Sequence, residues 1–481
     1  MLSLRDLLTQ FWQTLWSTTV RARQTWVTFA AMILSTGIGI LYADEPFIHI
    51  TPILLWLYSI LICFVILYPT EKSALFQINF NRTWIGLFIL LGFAFFLRVV
   101  NIMNFPPAFL PDEAGSVDFA LQNVFHPSLG WVTINPLRTG LDSQPVLYAY
   151  ILRSSTALFG FSTTGARMSS ILAGTLSIAG VFLMVNEIAG RKMAWLTAIL
   201  MTTYHYHIHW SRIALSNIWV TFLLPLTLGF FLRGWRKSQD GGALLAGLCL
   251  GFTAYFYTGG YILVFLISII NWQIWKQTND RLRFALYTGK MLALAVVVSA
   301  PLIVFAFMTP DHFFDRFSIV YGWTPDAIRA TLGDSATVWD YFIYQVTRSF
   351  GAYNFYTDVT HFYAPQIPFL TGIASILFLA GAGWSLYRRQ YFPMIWVTLV
   401  SIFGGVIIVG TPASSHFIAV IPAICWLVAV PLQWIGENKG PSWVYILLAA
   451  VILSDLMFYF GNYAGSSYGD FTLPFPIIEP Y

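Results

Sequence analysis

Charged residues are scarce in this 481-residue sequence. Asp, Glu, Lys and Arg together make up 10% of it, whereas hydrophobic residues make up 57%. A soluble domain carries about 25% charged residues, so a single water-soluble core is excluded. Internal repeats are also missing, and the apolar runs carry almost no charge. Both features argue against a transporter built from inverted repeats around an ion path.

Cysteine is almost as rare. The three cysteines, Cys63, Cys249 and Cys425, all lie inside apolar runs. Their spacing matches neither a disulfide framework nor a metal site. We therefore interpret them as small buried hydrophobic side chains.

Long apolar runs are what the sequence does have. Runs of roughly 17 to 25 residues recur from end to end, which predicts an all-α polytopic membrane protein. We expect about thirteen transmembrane helices, with boundaries uncertain by a few residues. They lie near residues 26–42, 51–69, 83–101, 164–186, 193–210, 215–232, 242–258, 261–275, 285–307, 366–386, 391–409, 414–434 and 443–461.

The turns between these runs alternate in charge. One set holds every lysine and most arginines, and the other holds all eight histidines and most acidic residues. Because positive charge marks cytoplasmic loops, we expect the N-terminus inside and, with an odd number of spans, the C-terminus outside. Two outer loops, near 102–163 and 308–365, are long and are the expected working parts.

The first outer loop contains "FPPAFLPDEAG", residues 105–115. Its prolines end the preceding helix, and a short helix is expected after Pro111. Asp112 and Glu113 stand at the start of that helix. Asp112 could act chemically or simply cap the helix N-terminus, where an acid is favoured. Glu113 could simply reach back into the lipid headgroup layer.

A later span opens at Arg167 and is rich in small residues, which predicts close helix packing. These residues are Gly165, Ala166, Ala173, Gly174, Ala179 and Gly180.

The order of these segments resembles that of a known family. The proline-rich break, "PDEA", "QPVLYAYIL" and the stretch from "GFSTTGARMSS" to "YHYHIHWSRIAL" are similar to the bacterial family 39 glycosyltransferases. These are GT-C fold enzymes related to protein O-mannosyltransferases and the lipid A aminoarabinose transferase. The resemblance is continuous over residues 95–215 and looser through "DHFFDRF", "GAYNFYTDVTHFYAPQIPFL" and "TPASSHFIAVIPAI".

The resemblance implies an inverting transferase with a polyprenyl-phosphate-linked sugar as donor. The acceptor would be a protein, glycan or lipid on the outer face of a bacterial plasma membrane. It also suggests a division of the chain. Residues 1–25 would form an amphipathic interfacial helix (or a frayed tail), and 26–80 two additional transmembrane helices. Residues 81–365 would form the GT-C-like core, and 366–481 the C-terminal helices and an outer tail.

Two acids carry the catalytic expectation. Asp112 matches the family's catalytic aspartate, so the resemblance implies a general base that accepts the proton of the incoming hydroxyl. Glu113 matches the second acid of the pair and is expected to orient the acceptor or the first outer loop.

Three cationic residues are expected at the donor phosphate. Arg212, in "SRIALSN", matches a family position, and an arginine suits phosphate through its planar fork of donors. His416 stands where relatives often carry an arginine, which would make phosphate binding weaker and pH-dependent. Arg316 is a further candidate. Alternatively, Arg212 is an interfacial anchor and Arg316 pairs with a neighbouring aspartate.

The substrate-lining candidates come from both outer loops. His205 and His209 are four residues apart and share a helix face that His207 does not. They could line the substrate site, face lipid headgroups or, less plausibly, bind a metal. The aromatic second loop could bind sugar or form an interfacial belt. The predicted substrate-lining residues are Gln144, His205, His209, Tyr353, Asn354 and His361.

No cofactor or metal requirement and no nucleic-acid partner is expected. "TAYFYTGGYI" lacks the lysine and flanking strand of a phosphate-binding loop, so we interpret it as a tight turn. The alternative to an enzyme is a GT-C-like membrane subunit without activity that binds lipid or a partner complex.

Overall fold

The computed structural model describes residues 20–42, 50–68, 82–107, 109–124, 145–360 and 362–463. The described chain is helical apart from turns, irregular segments and isolated bridge residues, among them an antiparallel bridge between Tyr321 and Ile408. Residues 1–19 of the predicted amphipathic helix and the predicted outer tail beyond residue 463 lie outside the described ranges.

Twenty α-helices are described here in chain order. The first ten are α1 Val20–Tyr42, α2 Ile50–Leu67, α3 Arg82–Val99, α4 Pro111–Asn123, α5 Leu147–Phe159, α6 Thr163–Ala189, α7 Arg191–Thr203, α8 His205–Trp210, α9 Ile218–Lys237 and α10 Gly241–Thr253. The others are α11 Ile262–Gln277, α12 Arg281–Met308, α13 Pro310–Val320, α14 Pro325–Leu332, α15 Val338–Gly351, α16 Gly372–Tyr387, α17 Phe392–Ser401, α18 Ser414–Phe417, α19 Ile421–Asn438 and α20 Pro441–Met457. Short 3₁₀ or π-helical turns lie at Thr258–Tyr261, Ile402–Val406, Ile418–Val420 and Phe458–Tyr463.

Each predicted span coincides with a helix or a helix pair. Seven helical segments of the described chain are long and apolar enough to cross a membrane, and five further apolar helices are shorter. The all-α, polytopic prediction is therefore confirmed, whereas the count of thirteen and the orientation stay predictions. The seven segments are Arg82–Val99, Thr163–Ala189, Ile218–Lys237, Thr258–Gln277, Arg281–Met308, Ser414–Asn438 and Pro441–Tyr463.

Helix α6 lies at the centre of the bundle, as its small residues predict. A Cβ atom at Gly174 would overlap the side chain of Ser211, and one at Gly165 would overlap the carbonyl of Gly160. Gly180 approaches the backbone and side chains of α9. Because these positions lack a side chain, α6 can approach the chain around residue 211 closely enough for buried polar groups to meet there.

The buried core joins α6 to α9 and α19. Helix α8 is fully enclosed along its length, including three histidines. Outer helices, by contrast, expose large apolar side chains such as Ile89 on α3, Phe307 on α12 and Ile376 on α16. Apolar side chains directed outward are what a helix bundle in lipid requires.

The second outer loop is more ordered than its sequence suggests, since it folds into α13, α14 and α15. Helix α15 holds the segment that follows α17: Gln345 Nε2 donates to the carbonyls of Val406 at 3.3 Å and Ile408 at 2.7 Å. The Ser349 hydroxyl is 3.0 Å from that of Thr411. These contacts fix a chain segment that goes on to form one wall of the site.

Candidate functional site

A cavity of about 350 Å³ lies among the first outer loop, the chain after α8 and the start of α18. Asp112 and His416, two of the predicted site residues, both line it. The sequence separates them widely, and the fold brings them to one enclosed space. The cavity is lined by Asp112, Ser116, Phe119, Pro145, Val146, Tyr148, Ala149, Trp210, Leu215, Ser216, Asn217, Tyr257, Val359, Thr360, Phe362, Val409, Gly410, Ala413, Ser415 and His416.

Glu113 does not line this cavity. Its carboxylate is fully buried and accepts two hydrogen bonds from Arg167, from Nε at 2.8 Å and from Nη2 at 3.0 Å. The backbone N–H groups of Ala214, at 2.8 Å, and Leu110, at 3.4 Å, donate to the same carboxylate. Four donors therefore satisfy a buried charge that would otherwise be costly.

This arrangement favours a role for Glu113 in orienting the first outer loop over a role in orienting the acceptor. Helix α4 begins at Pro111 with Leu110 as its N-cap residue, and it is Glu113 that reaches back to the Leu110 N–H. The N-cap interpretation of Asp112 is therefore wrong, and so is a headgroup-facing Glu113. Glu113 holds the first outer loop, which leaves the exposed carboxylate of Asp112 in the cavity wall.

Arg167 extends the same anchor. Its Nη1 donates to the carbonyls of Pro106 at 2.7 Å and Ile102 at 3.4 Å, and its guanidinium lies 5.1 Å from the ring centre of Phe109. The proline-rich break before α4 thus rests on a guanidinium from α6. Both ends of the loop that carries Asp112 are fixed from inside the protein.

Arg212, which the sequence predicts at the donor phosphate, does not line the cavity. Its guanidinium is fully buried and donates to the carbonyls of Leu97 at 3.0 Å, Arg98 at 3.2 Å and Phe105 at 2.6 Å. Carbonyls at the end of α3 have no helical partners, and a cation there is favoured by the helix dipole. The interfacial-anchor alternative is wrong, because the side chain has no exposed surface.

Residues 210–217 direct some side chains into the cavity wall and others toward the first outer loop. Trp210, Leu215, Ser216 and Asn217 line the cavity, whereas Arg212 and the Ala214 N–H point toward the first loop. The same short segment therefore builds the cavity wall with one side and holds the Asp112 loop with the other.

Three arginines lie in the interior behind that wall. Arg98 is also fully buried and donates to Ser211 Oγ at 3.1 Å and to His207 Nδ1 at 2.7 Å. Arg98, Arg167 and Arg212 lie there with the carboxylate of Glu113, while the carboxylates of Asp112 and Asp358 lie in the cavity wall and beside it.

His416 is the cationisable side chain of the described cavity wall. Its Nδ1 lies 2.7 Å from the hydroxyl of Tyr257, and the two rings lie nearly parallel. Asn217 donates to the Ser415 carbonyl at 3.4 Å, which ties the wall after α8 to α18. No lysine or arginine of the described chain lines the cavity.

The structure does not place His205 and His209 at the cavity. The two do share a face, as predicted, since both meet Tyr363: His205 Nδ1 is 2.6 Å from its hydroxyl, and the His209 ring stacks on it at 4.4 Å. Both are fully buried, so a headgroup-facing role is wrong. His209 Nε2 also hydrogen-bonds the carbonyl of Phe362, a residue of the cavity wall. We interpret both histidines as supports of the loop around residue 362.

Tyr353 and Asn354 also lie away from the cavity. Tyr353 is buried, with its hydroxyl 2.7 Å from Ser401 Oγ, and Asn354 donates to the Ser375 carbonyl at 3.1 Å. These contacts join α15 to α16 and α17, which is a packing role. Gln144, His361 and the side chain of Arg316 lie outside the described residues, so their predictions stand as made.

Asp358 supports the loop above the cavity. Its carboxylate accepts hydrogen bonds from the N–H and hydroxyl of Thr360, at 2.9 and 2.7 Å, and from the Ser414 N–H at 3.1 Å. Burial raises the pKa of Asp358, and these hydrogen bonds oppose the rise. Sequence analysis missed this residue because one of its partners, Ser414, lies 56 residues away in the chain.

Trp210 and Tyr257 are site residues that sequence reasoning missed. Trp210 is fully buried in the cavity wall, and its indole N–H has no hydrogen-bond partner in the described part of the chain. A buried donor without a partner costs about 1–3 kcal/mol. Tyr257 lies in the turn interpreted as structural alone. Trp residues at membrane boundaries are common, which hid the signal of Trp210.

A second, apolar groove of about 1000 Å³ lies between α10, α11 and α12. It is lined from Gly260 and Tyr261, next to Tyr257, to Trp275 and Phe284 near the opposite ends of α11 and α12. The groove therefore runs along most of the length of two membrane-spanning helices and begins beside the cavity. Among the residues described, no group of three or more His, Cys, Asp or Glu side chains is placed to hold a metal ion.

Known proteins resemble this chain in sequence and in fold. Residues 143–305 match the dolichyl-phosphate-mannose-protein mannosyltransferase family. No curated protein sequence matches the chain.

Among solved structures, the apo oligosaccharyltransferase of Archaeoglobus fulgidus aligns with a TM-score of 0.53 and 14% identity over 80% of this chain and 56% of its own. ArnT of Cupriavidus metallidurans bound to undecaprenyl phosphate aligns with a TM-score of 0.52 and 15% identity. The alignment covers 80% of this chain and 77% of ArnT. The chain thus spans little more than half of the archaeal protein. At these identities the likeness establishes the fold alone: the chain has a GT-C-like helical fold, and its long apolar helices make it a multi-pass membrane protein.

Proposed function

We propose that the protein transfers a sugar from a polyprenyl-phosphate-linked donor to an acceptor at the outer face of a bacterial plasma membrane. The observation that carries the proposal is the meeting of Asp112 and His416 in one cavity. An acid suited to proton transfer and a group suited to phosphate share a space large enough for a sugar phosphate. The match to a mannosyltransferase family over residues 143–305 supports this class of reaction.

In the proposed reaction Asp112 is the general base. An acceptor hydroxyl attacks the anomeric carbon of the donor sugar and gives its proton to the Asp112 carboxylate. The new carbon–oxygen bond forms as the bond between sugar and phosphate breaks, and the electron pair leaves with the polyprenyl phosphate. Glu113 and Arg167 hold Asp112 in position. His416 stabilises the departing phosphate. Protein, glycan and lipid acceptors all fit this scheme.

The apolar groove suits the polyprenyl tail. It begins at Tyr261, near the cavity, and continues along α11 and α12. The structural relative bound to undecaprenyl phosphate shares the fold. With the tail in the groove and the phosphate beside Tyr257 and His416, a lipid-linked donor reaches both spaces without leaving the membrane.

Filling the groove tests this assignment. Gly289 lines it, and a Cβ atom there meets nothing within 4 Å, so Gly289→Trp fills the groove without disturbing the fold. We expect the affinity for undecaprenyl phosphate in nanodiscs to fall about tenfold or more. The variant displaces part of the tail, and buried tail surface contributes about 0.8 kcal/mol per CH₂. Gly383→Trp on α16 is the matched control, since it is equally open but lies outside the groove. Equal binding by both variants would remove the tail from this groove.

His416 predicts a pH-dependent affinity. Wild-type affinity for undecaprenyl phosphate should fall, relative to His416→Arg, as pH rises from 6 to 8, because a neutral histidine loses its attraction for phosphate. The free phosphate titrates identically in both experiments, so the ratio of the two affinities removes its contribution and leaves the difference between the two side chains at position 416. His416→Ala should bind about tenfold or more weakly at pH 6, since charged hydrogen bonds are worth about 1.5–3 kcal/mol. Tyr257 and Asp112, the other titratable groups nearby, are unchanged in all three proteins. A constant ratio between wild type and His416→Arg would exclude His416 from phosphate binding.

A further inference from the structure

The indole N–H of Trp210 is an unused donor in the cavity wall. The side chain has no exposed surface, lines the same cavity as Asp112 and, among the residues that the structure describes, has no hydrogen-bond partner for Nε1. Its ring packs against Phe362, with ring centres 6.0 Å apart, and edge-on against His209. The ring is therefore held in place, and a rigid donor at a cavity wall is ready to meet a ligand atom.

Three other polar groups of the wall are already engaged with the protein. The Tyr257 hydroxyl is hydrogen-bonded to His416, the Thr360 hydroxyl donates to Asp358, and Asn217 donates to the Ser415 carbonyl. Trp210 differs from these three groups because none of the described residues accepts its N–H, which leaves it available to a ligand in the cavity.

The chemistry of the missing partner follows from the indole itself. Trp Nε1–H donates and cannot accept, so it pairs only with an acceptor. Non-bridging phosphate oxygens accept and do not donate, whereas a sugar hydroxyl does both. The described wall offers a phosphate no lysine or arginine, only His416 and neutral donors. A neutral N–H therefore has more to contribute here than in a site built from arginines.

We propose that Trp210 donates its indole N–H to a non-bridging phosphate oxygen of the lipid-linked donor. The inference rests on the proposed function and adds a binding residue that neither motif nor charge indicates. The phosphate site then combines a neutral donor, Trp210, with the cationisable His416 in place of a guanidinium fork.

The test removes the N–H and keeps the ring. Trp210 is replaced by 3-benzothienylalanine, whose sulfur takes the place of the indole N–H, and undecaprenyl phosphate binding is measured in nanodiscs. We expect the affinity to fall about tenfold or more, with unchanged thermal unfolding. Trp210→Phe should lose affinity as well. The same isosteric replacement at Trp219 is the matched control, because that indole N–H is also unpartnered but lies outside the cavity, stacked on Phe256. Its affinity should not change.

The outcomes separate this inference from the function on which it rests. If the wild type binds undecaprenyl phosphate and the Trp210 isostere binds it equally well, Trp210 does not contact the phosphate, and the transferase proposal stands. An equal loss at Trp219 would show a general effect of the replacement and would also overturn the inference. If the wild type itself does not bind undecaprenyl phosphate, the phosphate site is wrong, and both proposals fail.

Discussion

Asp112→Asn should reduce the rate of sugar transfer by about 10² to 10⁴-fold, the usual contribution of a general base. The amide keeps the size of the carboxylate but cannot accept the proton of the acceptor hydroxyl. Binding of undecaprenyl phosphate should be nearly unchanged, because Asp112 acts on the acceptor and not on the departing phosphate. Initial rates and lipid affinity, measured on the same purified protein, separate these two effects.

The matched control is Asp118→Asn. Asp118 lies on the same helix, does not line the cavity and accepts a hydrogen bond from Gln122 at 2.8 Å. Asp118→Asn should leave the transfer rate within about twofold of the wild type. The substitution lies outside the cavity, and surface substitutions usually change stability by no more than about 0.5 kcal/mol. Equal rates for wild type and Asp112→Asn would remove Asp112 from the chemistry and reduce it to a surface acid at the start of α4.

Arg167→Met should have the largest effect on stability. It leaves the Glu113 carboxylate buried without its two strongest donors, and breaking a buried pair by removing one partner costs about 3–5 kcal/mol. We expect a large drop in the thermal unfolding midpoint in detergent. The loop from Ile102 to Leu110 should become open to proteolysis, because Arg167 also holds its carbonyls.

The double variant Arg167→Met with Glu113→Leu distinguishes positioning from mere stability. An apolar pair leaves no buried charge without a partner, so the unfolding midpoint should recover in part. The transfer rate should not recover, because the Ala214 and Leu110 N–H groups lose their acceptor and Asp112 loses its fixed position. We expect kcat to stay low, whereas KM for the donor changes little.

Arg233→Met is the control for Arg167→Met, because it removes an arginine from a more exposed ion pair. Arg233 meets Glu187 at 3.5 Å and is partly exposed, so its ion pair is worth at most about 1 kcal/mol. An unfolding midpoint for Arg167→Met no lower than that for Arg233→Met would contradict the account of the buried anchor. Recovery of both stability and kcat in the double variant would contradict the positioning role of Glu113.

The sequence was a good guide wherever one physical rule determined the outcome. Long apolar runs became helices because a backbone in lipid must satisfy its own hydrogen bonds. The small residues of α6 predicted close packing, and Gly174 indeed lies directly against Ser211. Asp112 and His416, chosen by resemblance and by their place at an outer boundary, line the same cavity.

The sequence failed where the direction of a side chain mattered. Arg212 and Trp210 are two residues apart at the same boundary, and no periodicity tells which one meets a ligand. The structure turns Arg212 toward the carbonyls at the end of α3 and Trp210 toward the cavity. His205 and His209 were misjudged for a related reason. Polar character suggested an exposed site, but Tyr363 and its neighbours enclose both rings.

The measurement that tests the central claim most directly is transfer of labelled sugar in native membranes. Wild type and Asp112→Asn are compared with lipid extract as donor, and the protein, glycan and lipid fractions are examined for label. The account predicts label that moves only with the wild type, and the labelled fraction then identifies the acceptor class. If both proteins are folded, donor lipid is present and the two give equal label, the claim of an Asp112-dependent transferase is contradicted. The cavity would then belong to a membrane subunit that binds lipid or a partner without catalysing transfer.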